Sequence, residues 1–179
     1  GMISDFEDEQ ADMNWMRRIV ETSGRPLWYL LTRWDHEGDK WKRMLAHTAS
    51  ANADGLDIRA QVASRPIGML MGLQCSLHPF VAHNGFRALG KLAPAELATR
   101  MRDPEVRASI LAEQLSPKSG LMRTVINDFH KMFPMRTPMN YEPEFAASVA
   151  GLADVGGQDA RAMAYDMVSA GDGDSIFFF

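Results

Sequence analysis

A short alternating stretch carries the side chains best suited to chemistry. Apolar and polar residues alternate from Leu56 to Val62, which is typical of a strand with two different faces. One face would carry three polar residues: Asp57, Arg59 and Gln61. Asp57 and Arg59 could form an ion pair, because residues two apart share a strand face. In an α/β barrel, polar groups near the carboxyl ends of strands form the active site, whereas a solvated sheet face would show the same pattern without chemistry.

A second group of potential ligands consists of Cys75, His78 and His83. A thiolate and two imidazoles could hold zinc. Their spacing is irregular and a fourth ligand is missing, so ordinary loop packing is the favoured interpretation.

An acidic cluster near the start of the chain has two interpretations. Glu7, Asp8 and Glu9 could work as paired acid and base. Acidic residues are also favoured in the first turn of a helix, whose dipole attracts negative charge. We favour the structural interpretation, because a helical pattern begins at this point.

Helix and strand patterns alternate in the first third of the chain. Apolar residues at three- and four-residue spacing predict helices over residues 8–22 and 39–52. The continuous apolar run 27–32 predicts a strand that is covered on both faces. The alternating run that begins at Leu56 predicts a second strand. Because helices and strands alternate over short connections, we predict a parallel sheet and assign residues 1–66 to a βαβ barrel portion.

Residues 67–170 are predicted to form a large helical insertion. Asp103 followed by Pro104 is typical of a helix start, with an N-cap and then proline at the first helical position. No strand is predicted between Val62 and Ser175.

Residues 171–179 close the chain with a final apolar strand, residues 176–179. Chain ends are usually polar and loosely held, and an exposed apolar strand promotes aggregation. The run therefore either docks firmly in the fold or marks a truncated end, and truncation is the favoured interpretation.

Composition limits the class of protein. The 179 residues, 46% of them hydrophobic and 23% charged, predict a soluble globular chain. A net charge of −4 and the lack of a basic run mixed with aromatics argue against nucleic acid as a partner. No apolar stretch is long enough to span a membrane, and the acidic start is unlike a secretory signal. The single cysteine cannot form an internal disulfide, which predicts a cytoplasmic location.

The order of these features resembles the N-acyl-D-amino-acid deacylase (D-aminoacylase) branch of the amidohydrolase superfamily, in its central segment. The similarity covers nearly the whole chain and is carried by these stretches: Ile3-Ser4-Asp5 before an acidic helix, Gly24-Arg25-Pro26 before an apolar strand, Arg65-Pro66-Ile67-Gly68, Ser148-Val149-Ala150, and Ala164-Tyr165-Asp166-Met167. The resemblance implies a (β/α)8 barrel, of which this chain would be an incomplete TIM-barrel-like piece. It also implies a hydrolase that cleaves the amide bond of N-acylated D-amino acids with a zinc-activated water.

The resemblance also assigns positions to metal ligands. The ligand position after one strand falls on Asp5, which could bind zinc through oxygen, and the position after the next falls on Arg33. A guanidinium has only donors and cannot bind a metal. The chain has no His-x-His pair, and the aspartate of the family's last strand would lie beyond Phe179. We therefore expect this chain alone to be inactive.

Two functional hypotheses follow from the resemblance. In the first, Asp57, Arg59, Gln61 and Arg65 face the barrel interior and bind the carboxylate or acyl group of a small acylated amino acid. A guanidinium suits a carboxylate because it can donate two parallel hydrogen bonds. His83 or His78, in an insertion over the barrel mouth, would also contact substrate.

In the second hypothesis, the chain is a catalytically inactive barrel fragment that acts as a structural or oligomerisation module. Missing barrel strands would leave open sheet edges, which a second copy of the chain could cover. Both hypotheses predict a homo-oligomer.

Overall fold

The chain divides into two units, Gly1–Ile67 and Gly68–Phe179, and each contains a hydrophobic core. The computed structural model describes residues 1–4, 6–34, 37–65, 68–116 and 120–179, with positions 120 and 121 as backbone only. Eight α-helices and five short strands lie in these ranges, so the predicted mixed α/β class is confirmed. Within the same ranges, no helix is both long enough and apolar enough to cross a bilayer.

The first unit follows the predicted alternation of helix and strand. Its elements in chain order are α1 (Glu9–Ser23), β1 (Leu27–Leu30), α2 (Lys40–Ala53) and β2 (Ile58–Gln61). Strands β1 and β2 pair in parallel, with Leu27 opposite Ile58, and Met2 adds a parallel bridge to Tyr29. The prediction of a parallel sheet is therefore confirmed, and its three segments lie side by side in chain order.

Local signals explain where α1 begins and ends. The Asp8 carboxylate accepts a hydrogen bond from the Ala11 N–H and caps the first turn. Gly24 ends the helix in the left-handed region at φ 63°, where its N–H donates to the Val20 carbonyl. Glycine adopts this conformation without the steric cost that a Cβ would bring.

Helices α1 and α2 cover one face of the sheet. The first core contains Met13, Met16, Tyr29, Met44 and Ile58, each at most 1% exposed. The Tyr29 hydroxyl lies 2.7 Å from the Thr48 hydroxyl, which satisfies the buried polar end of the ring.

The other face of this sheet is uncovered among the described residues. Ile3 is 77% exposed and Trp28 is 45% exposed. The prediction that β1 is covered on both faces is therefore wrong. Successive side chains in a strand point to opposite faces, and both helices of the unit lie on the Tyr29 side, so the Trp28 side receives no layer.

The second unit is mostly helical. Its helices are α3 (Asn84–Arg87), α4 (Pro94–Met101), α5 (Pro104–Ala112), α6 (Gly120–Asn127), α7 (Val149–Gly156) and α8 (Ala160–Val168), with a 3-10 turn at Phe145–Ala147. Their apolar residues meet in a core that includes Phe80, Met101, Ile110, Tyr165 and Val168.

A small antiparallel sheet also belongs to this unit. It contains β3 (Leu70–Met71), β4 (Phe133–Pro134) and β5 (Phe177–Phe178), with β5 in the middle. The prediction of no strand between Val62 and Ser175 is therefore wrong, because strands of two residues are too short to show a period. The terminal apolar run docks as β5, and Phe177 is 1% exposed.

Removing the cap of α5 should cost measurable stability. The Asp103 carboxylate accepts hydrogen bonds from the backbone N–H groups of Glu105 and Val106. We expect Asp103→Ala to lower the free energy of unfolding by about 1 kcal/mol. Asp103→Asn keeps an acceptor, so its free energy of unfolding should stay within a few tenths of a kcal/mol of the parent value, as measured by urea denaturation. Equal losses in both variants would mean that charge, and not capping, is responsible.

Candidate functional site

The uncovered sheet face of the first unit, named here the open sheet face, brings together side chains from three parallel segments. In the β1–β2 register, Trp28 lies opposite Arg59 and Leu30 lies opposite Gln61. Residues opposite each other in a parallel pair point to the same face. Because Met2 is opposite Tyr29, its neighbour Ile3 belongs to the same face as Trp28.

Asp57 and Arg59 form a bidentate ion pair on this face. Arg59 donates from Nε to Oδ1 of Asp57 at 2.7 Å and from Nη2 to Oδ2 at 3.0 Å. The carboxylate raises the pKa of Arg59 by accepting these bonds. Both side chains are well exposed, so water screens the pair and it contributes little to stability. Its main effect is to fix the orientation of the guanidinium.

The other predicted substrate-binding residues are distributed unevenly. Gln61 is exposed at the carboxyl end of β2, two residues beyond Arg59 on the same face. Arg65 is exposed in the loop that follows. Asp5, the predicted metal ligand, lies outside the described residues. His83 belongs to the second unit and is only 2% exposed.

The described residues do not form a zinc site. Among them, no group of three or more histidine, cysteine, aspartate or glutamate side chains is arranged to hold a metal. Arg33, at the second ligand position that the resemblance assigns, is an exposed residue after β1 and cannot act as a ligand.

The His83 ring is held by a cation. Nη2 of Arg161 lies 2.5 Å from Nε2 of His83 and also donates to the carbonyls of Ile110 and Glu113. Because arginine only donates, Nε2 must accept and Nδ1 carries the proton. This Nδ1 is buried without a hydrogen-bond partner among the described residues. His83 is therefore a buried ring whose Nε2 is already engaged by Arg161.

His78 is buried beside it and is also neutral. Its Nδ1 accepts a hydrogen bond from the Phe80 N–H at 3.3 Å, and its ring packs edge-on against Phe86. Burial, with a smaller contribution from His83, lowers the pKa of His78 to about 4. Burial and the charge of Arg161 also lower the pKa of His83. Since Nε2 of His83 and Nδ1 of His78 already form internal hydrogen bonds, the structure favours the packing interpretation over the zinc interpretation.

Two parts of this arrangement were missed at the level of sequence. Trp28 was assigned to a fully buried strand, although it has the same parity as Arg59 once β1 and β2 are aligned. Aligning the two predicted strands would have placed Trp28 on the same face as Arg59. The contact between Arg161 and His83 joins residues 78 positions apart and has no signal in a single sequence.

Comparisons with protein-family models, with curated proteins and with solved structures found no match to this chain. The resemblance to D-aminoacylases therefore remains a prediction.

Proposed function

We propose that this chain is the substrate-binding segment of an amidohydrolase that cleaves the amide bond of small N-acylated amino acids, in the cytoplasm. The supporting observation is the open sheet face, which presents Arg59 in β2 and Gln61 at the carboxyl end of that strand. Carboxyl ends of parallel strands are where barrel enzymes place their active sites.

The order of the strands favours a barrel piece over a doubly wound sheet. The Met2 segment, β1 and β2 are neighbours in chain order, and α1 and α2 pack on the same face. A barrel has sequential strands with all helices outside, whereas a doubly wound sheet has helices on both faces. On this proposal the open sheet face is part of a barrel interior.

The polar groups of the face suit an acylated amino acid. The Asp57 pair uses two of the five N–H donors of Arg59, so the other three can bind a substrate carboxylate. The Gln61 side chain can donate to and accept from the amide bond of the same substrate. On this proposal the face binds and orients the substrate, and the groups that perform hydrolysis are supplied by other residues of the full protein.

Arg59→Ala tests the role of this face. In the longest native polypeptide that contains the chain, we expect the KM for N-acetylated amino acids to rise roughly 10- to 100-fold, because a charge-assisted hydrogen bond is lost. The control is Arg18→Ala, an exposed residue of α1 on the opposite side of the sheet. Deacylation is measured by release of the free amino acid. Unchanged KM and kcat in a folded Arg59→Ala variant would remove Arg59 from the site.

A second candidate function is a catalytically inactive barrel fragment that acts as an oligomerisation module. One observation favours it: the Asn52 side-chain amide donates to the Ile58 carbonyl at 3.1 Å and accepts from the Ile58 N–H at 3.3 Å. These groups point away from β1, so a side chain closes part of the edge where a further barrel strand would pair. Such closure suits a sheet that ends at β2.

The intact mass of the native protein separates the two candidates. A barrel with insertions requires roughly two to three times the 20.0 kDa of this chain. A native product close to 20.0 kDa would favour the module, and its oligomeric state in light scattering would then be the next quantity to measure.

A further inference from the structure

The open sheet face is divided by its strands into an apolar and a polar half. The first two segments contribute Ile3, Trp28 and Leu30, and β2 contributes Arg59 and Gln61. Trp28 and Arg59 are direct neighbours in the register. Neighbouring strands are about 4.8 Å apart, so the face changes from apolar to charged over a distance of about 10 Å.

We propose that this division fixes the orientation of the ligand, with its acyl chain on Ile3, Trp28 and Leu30 and its carboxylate on Arg59. The inference rests on the proposed function and adds a specificity to it: a preference for long apolar acyl groups. Trp28 is the central residue of this acyl subsite, because it is half exposed and its indole offers the largest apolar surface of the three.

Asp57 has a definite role in this arrangement. It orients Arg59 through two hydrogen bonds and leaves three N–H donors for the ligand. Its negative charge also lies close to the incoming carboxylate and repels it. Asp57→Asn keeps an oxygen acceptor that orients Arg59 and removes the repulsion, so the binding of an anionic ligand should tighten.

The length of the acyl chain should control affinity. Full burial of a methylene group corresponds to about a fourfold gain in affinity, and on a one-sided surface we expect about half of that free energy, or about twofold per methylene. N-octanoylalanine should then bind roughly 60-fold more tightly than N-acetylalanine, from which it differs by six methylenes. N-octanoylalanine amide, which lacks the carboxylate, should bind more weakly than the acid.

The test is a calorimetric titration of the full chain with these three probes. In Trp28→Ala, we expect affinity for N-octanoylalanine to fall about tenfold and affinity for N-acetylalanine to fall less than threefold. Leu45→Ala is the matched control, because Leu45 is an apolar residue of α2 that is 41% exposed on the helix side, and it should change neither. Asp57→Asn should tighten binding of both acids about two- to fivefold and leave the amide unchanged.

Each outcome decides the inference. Equal losses for both acids in Trp28→Ala, no loss for either, or weaker binding in Asp57→Asn would overturn the proposed orientation. Failure of this inference is distinguishable from failure of the proposed function by turnover in the longest native polypeptide. Hydrolysis without a chain-length or Trp28 effect overturns the orientation alone, whereas the expected binding pattern without hydrolysis supports the orientation and overturns the hydrolase. No binding and no hydrolysis would overturn both.

Discussion

Replacing Phe177 with alanine is expected to lower the free energy of unfolding of the second unit by about 3–5 kcal/mol. Phe177 is 1% exposed and lies in β5, the middle strand of the small sheet, opposite Met71 on one side and Pro134 on the other. Truncation would remove the ring from the core and leave a cavity that the strands on both sides can fill only partly. Because domains are stable by only about 5–15 kcal/mol, such a loss would leave the unit marginal.

The neighbouring residue provides the control. Phe178 points to the opposite face of β5, is partly exposed and stacks on Phe133 at 5.4 Å. Phe178→Ala should therefore cost less than half as much as Phe177→Ala. Similar losses in both variants would contradict the burial that separates the two faces.

The choice of probe matters for this measurement. All four tryptophans, Trp15, Trp28, Trp34 and Trp41, precede Gly68, so tryptophan fluorescence reports on the first unit. Hydrogen exchange of the backbone amides of α8 reports on the second unit directly. We expect faster exchange there in Phe177→Ala, with little change in the amides of α1.

The parallel order of the first unit could be predicted because several sequence signals agree there. The periodicity of α1 and its Gly24 stop define the first helix, and the alternation around Arg59 defines the second strand, so independent signals agree on one order of elements. The pairing of Asp57 with Arg59 could also be predicted, since two-residue spacing places both on one strand face. What hydropathy could not provide was the side on which the sheet is left uncovered, because Trp28 and Tyr29 are both aromatic and only packing separates them.

The second unit was predicted less completely for a different physical reason. Its helices carry local caps, such as Asp103, that a sequence displays directly. Its sheet does not, because β3, β4 and β5 are two residues long and depend on partners far along the chain. The histidine cluster is equally non-local, since His83 is fixed by Arg161 from α8. The sequence identifies these histidines as residues that could bind a metal or a substrate. It does not show that they already form contacts within the fold.

Acidification from pH 7 to pH 4 is expected to destabilise the second unit through His78. Burial, and then the nearby His83, lower its pKa in the folded state to about 4 from an ordinary value of 6.5. Between these two pH values the unfolded chain binds a proton at this residue and the folded chain does not. Stability is therefore fully present above pH 6.5 and is lost progressively as the pH falls towards 4.

The size of the effect follows from the shift. A difference of about 2.5 pH units corresponds to about 3 kcal/mol, which is a large part of the stability of a domain. The pKa of His83 is also lowered, so its titration acts in the same direction. The charged groups around the pair are Arg161, which opposes protonation of His83, and Glu113, which favours it. Burial is the largest cause of the pKa shift of both rings, so the pKa of each is lowered overall.

The variant His78→Asn isolates this contribution. Asparagine keeps an acceptor near the Phe80 N–H but cannot take up a proton, so about 3 kcal/mol of the pH dependence between 6.5 and 4 should disappear. The measurement is urea denaturation at half-unit steps of pH, followed by hydrogen exchange in α8. His130→Asn, at an exposed histidine of the same unit, is the matched control for loss of an imidazole. The parent protein and the two variants have the same carboxylates. A slope of stability against pH that changes in His78→Asn but not in His130→Asn is therefore due to His78. An unchanged slope in His78→Asn would show that this ring is not held neutral by burial, and the acid sensitivity would then have to arise from the carboxylates.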